Sequence, residues 1–151
     1  MSMFKKILVP VDGSEPSDAA VALAIRFARD QKATIAFLHV CEVTRIVAMV
    51  GGPTTGVDPS YAFEAEREWG SLALRSAFDR AGDAGVDSQT SLEEGSSIAT
   101  ILEAAREQHA DLIVMGSHGR GGIARALLGS VTEGVLRHSP IPVLVTRAHR
   151  A

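Results

Sequence analysis

The chain has 151 residues, 46% of them apolar and 22% charged, which suits one globular domain over residues 1–151 able to bury roughly 70% of its unfolded surface. Fifteen basic residues against eighteen acidic ones leave a net charge of −3 and no basic block, so a nucleic-acid partner is not indicated. Apolar runs are too short for a signal peptide or a bilayer span, and the lone Cys41 makes neither an internal disulfide nor a metal cluster; the expectation is a cytoplasmic protein with no membrane partner and no metal site.

Lys5 to Val11 is a compact β-branched run that stops at Asp12-Gly13-Ser14, a turn sequence containing helix-capping residues. From Asp18 to Asp30, Ala20, Val21, Ala24, Ile25 and Ala28 recur at helical spacing, with Leu23 and Phe27 widening the face. Thr34 to Val40 is nearly continuous in apolar residues, as a strand covered on both faces must be. The segment from Thr44 to residue 60, with Gly51, Gly52, Pro53, Gly56 and Pro59, reads as a long loop. Tyr61 to Ala81 is helical, with Phe63, Trp69, Leu72, Ala73, Ser76 and Ala77 expected on or near the inner face, and Glu64, Glu66 and Glu68 on a wet one.

Val86 to Leu92 alternates weakly and carries polar residues, which suits an edge strand. Ile98, Ile101, Leu102 and Ala105 mark a third helix, Asp111 to Gly116 a central strand, Ser130 to His138 a fourth helix, and Val143 to Thr146 a last strand after Ser139-Pro-Ile-Pro. Strands alternating with helices imply a three-layer α/β sandwich around a parallel sheet, with helices on both faces.

In such sheets, ligands bind beyond the carboxyl ends of strands where the winding reverses. Two strand ends are suited to this. One carries Pro10-Val11-Asp12-Gly13-Ser14, where Asp12 is equally suited to form the turn and to accept from ribose hydroxyls. The other carries Met115-Gly116-Ser117-His118-Gly119, followed by Gly129-Ser130 at a helix start. Glycines let backbone amides approach phosphate oxygens and take positive φ at little cost, and a helix N-terminus favours an anion; Thr132 adds a second hydroxyl in that first turn. Arg120 and Arg125 are candidates to neutralise phosphate, with a solvated face preferred for Arg125. His118 has no evident paired carboxylate or nucleophile, so no catalytic residue is assigned, and His39 reads as a packed or hydrogen-bonded residue. Neither Gly-x4-Gly-Lys-Ser/Thr nor Gly-x-Gly-x-x-Gly occurs, which disfavours a P-loop ATPase or a dehydrogenase.

Gly116, two residues, Gly119, nine residues, Gly129 and Ser130 form a spaced set that resembles the marker of the universal stress protein family, in its single-domain, ATP-binding branch. The opening Ile7-Leu-Val-Pro-Val-Asp-Gly-Ser14 and the closing Ser139-Pro-Ile-Pro-Val-Leu-Val are similar too, so the resemblance covers nearly the whole chain. It implies a five-stranded parallel sheet of order 3-2-1-4-5 and ATP or a related adenine nucleotide as ligand. Pro10, Val11 and Asp12 would then border adenine and ribose, with Val40 near the base. Met115, Gly116, Gly119, Gly129, Ser130, Val131 and Thr132 would hold ribose and phosphates, with His118 inside the same loop. It also implies a homodimer through the last strand.

The expected function is that of a nucleotide-dependent switch in stress response, acting through dimer or partner surfaces on a downstream protein that the sequence does not name. Slow ATP hydrolysis or autophosphorylation at Ser130 and Thr132, with Mg2+ bridging the phosphates, stands as one alternative. A nucleotide-free interaction module stands as another.

Overall fold

The computed structural model describes residues 2–119 and 128–148. Ten elements follow in order: β1 (Lys6–Pro10), α1 (Glu15–Gln31), β2 (Thr34–Glu42), α2 (Val43–Met49), α3 (Ser60–Asp83), β3 (Ser88–Gly95), α4 (Ser97–Glu107), β4 (Leu112–Gly116), α5 (Ser130–His138) and β5 (Val143–Thr146). The five strands are all parallel and lie in the order β3-β2-β1-β4-β5, as the resemblance implied.

Strand alternation sorts the apolar side chains into two cores. Ile7, Val9, Ile35, Phe37 and Val114 face α1 and α3. Leu8, Ala36, Leu38, Ile113 and Met115 face α4 and α5. The sheet is therefore buried on both sides in its middle, which explains the unbroken apolar runs of β1, β2 and β4. β3 lies at the edge, and its Ser-Gln-Thr-Ser-Leu-Glu-Glu-Gly sequence is correspondingly polar.

Helix α1 begins three residues earlier than its apolar periodicity suggests. Ser14 caps it by accepting from Ser17 N–H, and Pro16 occupies the first turn, where a missing N–H costs nothing. Its end is set by Lys32 in the left-handed region at φ 56°, with its N–H on Ala28 O.

Two expectations fail. The stretch expected to be loop from Thr44 onward opens with helix α2, anchored by the buried Ile46; only after Met49 does the glycine- and proline-rich sequence become irregular. The inner face of α3 is also rotated from the expected one. Glu66, Gly70, Leu74, Ala77 and Ala81 are buried, at strict i, i+4 or i+3 spacing, whereas Leu72 is 64% exposed and Trp69 and Ser76 are exposed. A glutamate and a glycine head the true stripe, so hydrophobicity alone points to the wrong side.

Candidate functional site

β1 and β4 are neighbours, so the loops leaving their carboxyl ends face each other across the sheet top. After Pro10 the chain turns through Asp12-Gly13-Ser14. Asp12 Oδ1 accepts from the Ser14 N–H at 2.9 Å and the Ser14 hydroxyl at 2.6 Å, while the Asp12 N–H donates to Ser17 Oγ at 3.1 Å. Asp12 is thus a turn-former, as one of its two readings held. Its other oxygen faces the glycine loop: a Cβ at position 119 would lie 2.7 Å from Asp12 Oδ2. Trp69 of α3 holds the turn from the other side, with Nε1 donating to Asp12 O at 2.7 Å and the indole lying over Gly13, whose φ is +78°.

Between β1 and β2 the ladder forks. The pairing is regular through the bond from Val11 N–H to Leu38 O at 2.8 Å, and an unbroken parallel ladder would next bring Val40 N–H to Val11 O. Instead Val11 O accepts from His39 Nδ1 at 2.7 Å. The same ring reaches Glu66 Oε1 through Nε2 at 3.1 Å, and both residues are buried, at 2% and 8% exposure. With acceptors at both nitrogens, Nδ1 carries a hydrogen, and one proton lies between Nε2 and the carboxylate. Arg45 Nη2 stands 3.4 Å from the same Glu66 oxygen. Gly70 makes room for this ring, since a Cβ there would overlap it. By strand alternation, Val40 then carries its N–H and C=O on the edge where β1 has ended, a donor and an acceptor side by side. Glu66 is therefore not on a wet helix face, as its neighbours in sequence suggest; it is the buried partner of His39.

The glycine loop differs in detail from expectation. A Cβ on Gly116 would lie 2.7 Å from Pro16 C, so this glycine serves close packing of β4 on the start of α1. Gly116, Gly119 and Gly129 are not among the residues with positive φ; Gly129 sits at φ −65° as the N-cap of α5. The Gly129 N–H is engaged, donating to Ser117 O at 2.8 Å, and a Cβ there would meet Ser117 O and His118 Cα at 3.3 Å. Helix α5 makes its first intrahelical bond from Glu133 N–H to Gly129 O, so the N–H groups of Ser130, Val131 and Thr132 precede the ladder, and the N-cap glycine has no side chain to cap them. The Thr132 hydroxyl was expected to serve the ligand. It is 3% exposed and donates to Gly116 O at 2.8 Å, which ties α5 to the end of β4 and commits its proton. His118 Nδ1 lies 3.0 Å from Ser117 Oγ.

Pro10, Val11, Asp12, Val40, Met115, Gly116, His118, Gly119, Gly129, Ser130, Val131 and Thr132, the twelve candidates of the sequence, all line one cavity of about 320 Å³. Ser17, Leu38, His39, Glu42, Arg45, Ser97 and Ile101 line it as well, and sequence reasoning assigned none of these to the site. Alternation along β2 from Val40 was the signal that could have found Glu42; Arg45 lay hidden in the misread loop. Arg120 and Arg125 fall outside the described residues. Among the described residues, no group of three or more His, Cys, Asp or Glu side chains is placed to hold a metal ion, and no helix is long and apolar enough to cross a membrane.

The family model for the universal stress protein family matches residues 3–147. A universal stress protein of Methanocaldococcus jannaschii is 37% identical over 148 residues, covering 97% of this chain and 84% of the relative. The structure of the universal stress protein UspA of Lactobacillus plantarum superposes with a TM-score of 0.81 at 27% identity, over 97% of this chain and 100% of that one. A universal stress protein crystallised in complex with cAMP superposes with a TM-score of 0.68 at 30% identity, over 98% and 100% of the two chains. Sequence match over nearly the full length and a shared three-layer fold agree: the chain belongs to the universal stress protein family.

Proposed function

We propose that the chain binds ATP and serves as a nucleotide-dependent regulatory protein in stress response, not as a dedicated enzyme. One observation carries the reading: a single cavity joins the first N–H groups of α5 to the Asp12 carboxylate and to the edge of Val40 that lies beyond the end of β1. These three features suit the three parts of a nucleotide. The α5 N-terminus favours phosphate through its amides and its partial positive charge. Asp12 accepts from ribose hydroxyls while its first oxygen keeps the turn. Val40 offers a donor and an acceptor to the edge of a base.

The cradle also fits by exclusion, because a side chain at 119 would run into Asp12. That a similar protein was crystallised with cAMP supports an adenine nucleotide here. Mg2+, where present, would be held through the phosphates, since the described residues gather no carboxylate cluster for it. Bound nucleotide would act by favouring one arrangement of the glycine loop and of the dimer surface over another, and so alter partner choice.

A homodimer through β5 belongs to the same reading. β5 is the outer strand, and its 142, 144 and 146 peptides face β4, as the bonds to Pro142 O and Thr146 O show. Val143 and Val145 therefore turn their N–H and C=O outward, ready to pair with a second copy.

Two measurements test the proposal together: mass spectrometry of small molecules released from the denatured purified protein, and calorimetric titration with ATP. Released adenine nucleotide, or saturable heat with ATP, is the expected result. An empty protein that gives no heat with ATP refutes it.

A further inference from the structure

A carboxylate in the cavity proposed for a nucleotide needs a reason, and the place of Glu42 at the start of α2 does not supply one. It occupies the N-cap position of α2 without capping it through its side chain. Its Oε2 accepts from the Ser97 hydroxyl, at 2.8 Å, in the first turn of α4. That bond fixes the side chain along the cavity wall and uses one of about four acceptor positions on the carboxylate. Arg45, which lines the same cavity, directs Nη2 to Glu66.

The phosphates belong at α5 and the ribose at Asp12, so the base occupies the end lined by Val40, Glu42, Ser97 and Ile101. Side chains of Val40 and Glu42 share one face of β2, about 6.6 Å apart along the strand. The C=O of Val40 lies on the Glu42 side of its N–H. A base edge paired with Val40 thus puts its acceptor nitrogen on the N–H and its exocyclic amino group on the C=O, beside residue 42. One amino hydrogen goes to Val40 O and the other remains.

We infer that Glu42, held by Ser97, accepts that second hydrogen and so selects a purine bearing an amino group at this position. The inference rests on the nucleotide reading above and deepens it from a phosphate cradle to a base-reading site. Glu42 is a specificity-determining residue, and a carboxylate there opposes any base that presents a carbonyl oxygen in place of the amino group.

The test is a chemical double-mutant cycle with the full chain: calorimetric affinities for ATP and for purine riboside 5′-triphosphate, which lacks the amino group, in wild type, Glu42→Ala and Ser97→Ala. Removing the amino group costs both proteins the Val40 bond but costs wild type the Glu42 bond too. The wild-type loss should exceed the Glu42→Ala loss by about tenfold, with Ser97→Ala between them. Ser97→Ala keeps the test decisive should Glu42→Ala fail to fold. Equal losses in wild type and variants, with ATP still bound, overturn the Glu42 assignment alone. Failure of the wild-type protein to bind ATP overturns both readings.

Discussion

Gly70→Ala sets two physical effects of opposite sign against each other in α3. In an exposed helix interior the change is worth about 1 kcal/mol in favour of Ala, which loses less backbone entropy. Gly70 is buried, and a new Cβ would overlap the His39 ring at Cδ2, Cγ and Nε2. A loose side chain would swing aside. This ring is tethered at both nitrogens, to Val11 O at 2.7 Å and Glu66 Oε1 at 3.1 Å. Moving it weakens a buried hydrogen bond and leaves its polar groups poorly paired, costing about 1–3 kcal/mol; moving α3 off β2 instead costs about 1–3 kcal/mol as overpacking. After the helix-propensity gain is subtracted, the net destabilisation should be about 0–2 kcal/mol by either route, a Tm drop of up to a few degrees in a chain of this size. Urea denaturation with an unchanged m-value reads the sign directly. ATP affinity should fall along with it, because the displaced ring no longer holds Val11 away from Val40. A variant more stable than wild type by the full helix-propensity gain of about 1 kcal/mol would falsify the claim that the imidazole is locked in place.

Gly119→Glu should abolish calorimetric ATP binding while leaving the circular dichroism spectrum and Tm near wild type, since position 119 is exposed yet faces Asp12; retained affinity would place the phosphate cradle elsewhere. Trp69 is the chain's single tryptophan and donates to Asp12 O, so nucleotide binding should shift its fluorescence emission in proportion to occupancy. An emission spectrum insensitive to saturating ATP would show that the Asp12 turn does not respond to the ligand. Val145→Pro removes an outward-facing N–H of β5 without removing a bond to β4, so light scattering should report monomer where wild type is dimer; an unchanged dimer would move the interface off this edge.

Much of the fold was legible because its strands are short, apolar and bounded by turn chemistry. Ser130–His138 and Val143–Thr146 begin and end where their punctuation says they should. α2 was not legible, because seven residues carry barely two turns of periodicity and glycines crowd its far end. The buried face of α3 was not legible for a different reason: its register is set by Glu66 and Gly70, residues chosen for what His39 needs and not for their own hydrophobicity.

The spacing of Gly116, Gly119, Gly129 and Ser130, with Asp12 after the first strand, is a one-dimensional pattern, and it determined the family and the strand ends that line the cavity. Pairing between distant segments is not such a pattern. Only the folded chain could show that Gly116 is a glycine for α1, that Thr132 ties α5 to β4, and that His39 takes the Val11 carbonyl that an unbroken ladder would give to Val40. Each of these depends on which hydrogen bonds remain once a neighbour from elsewhere in the chain has taken its share, and that competition exists only in three dimensions.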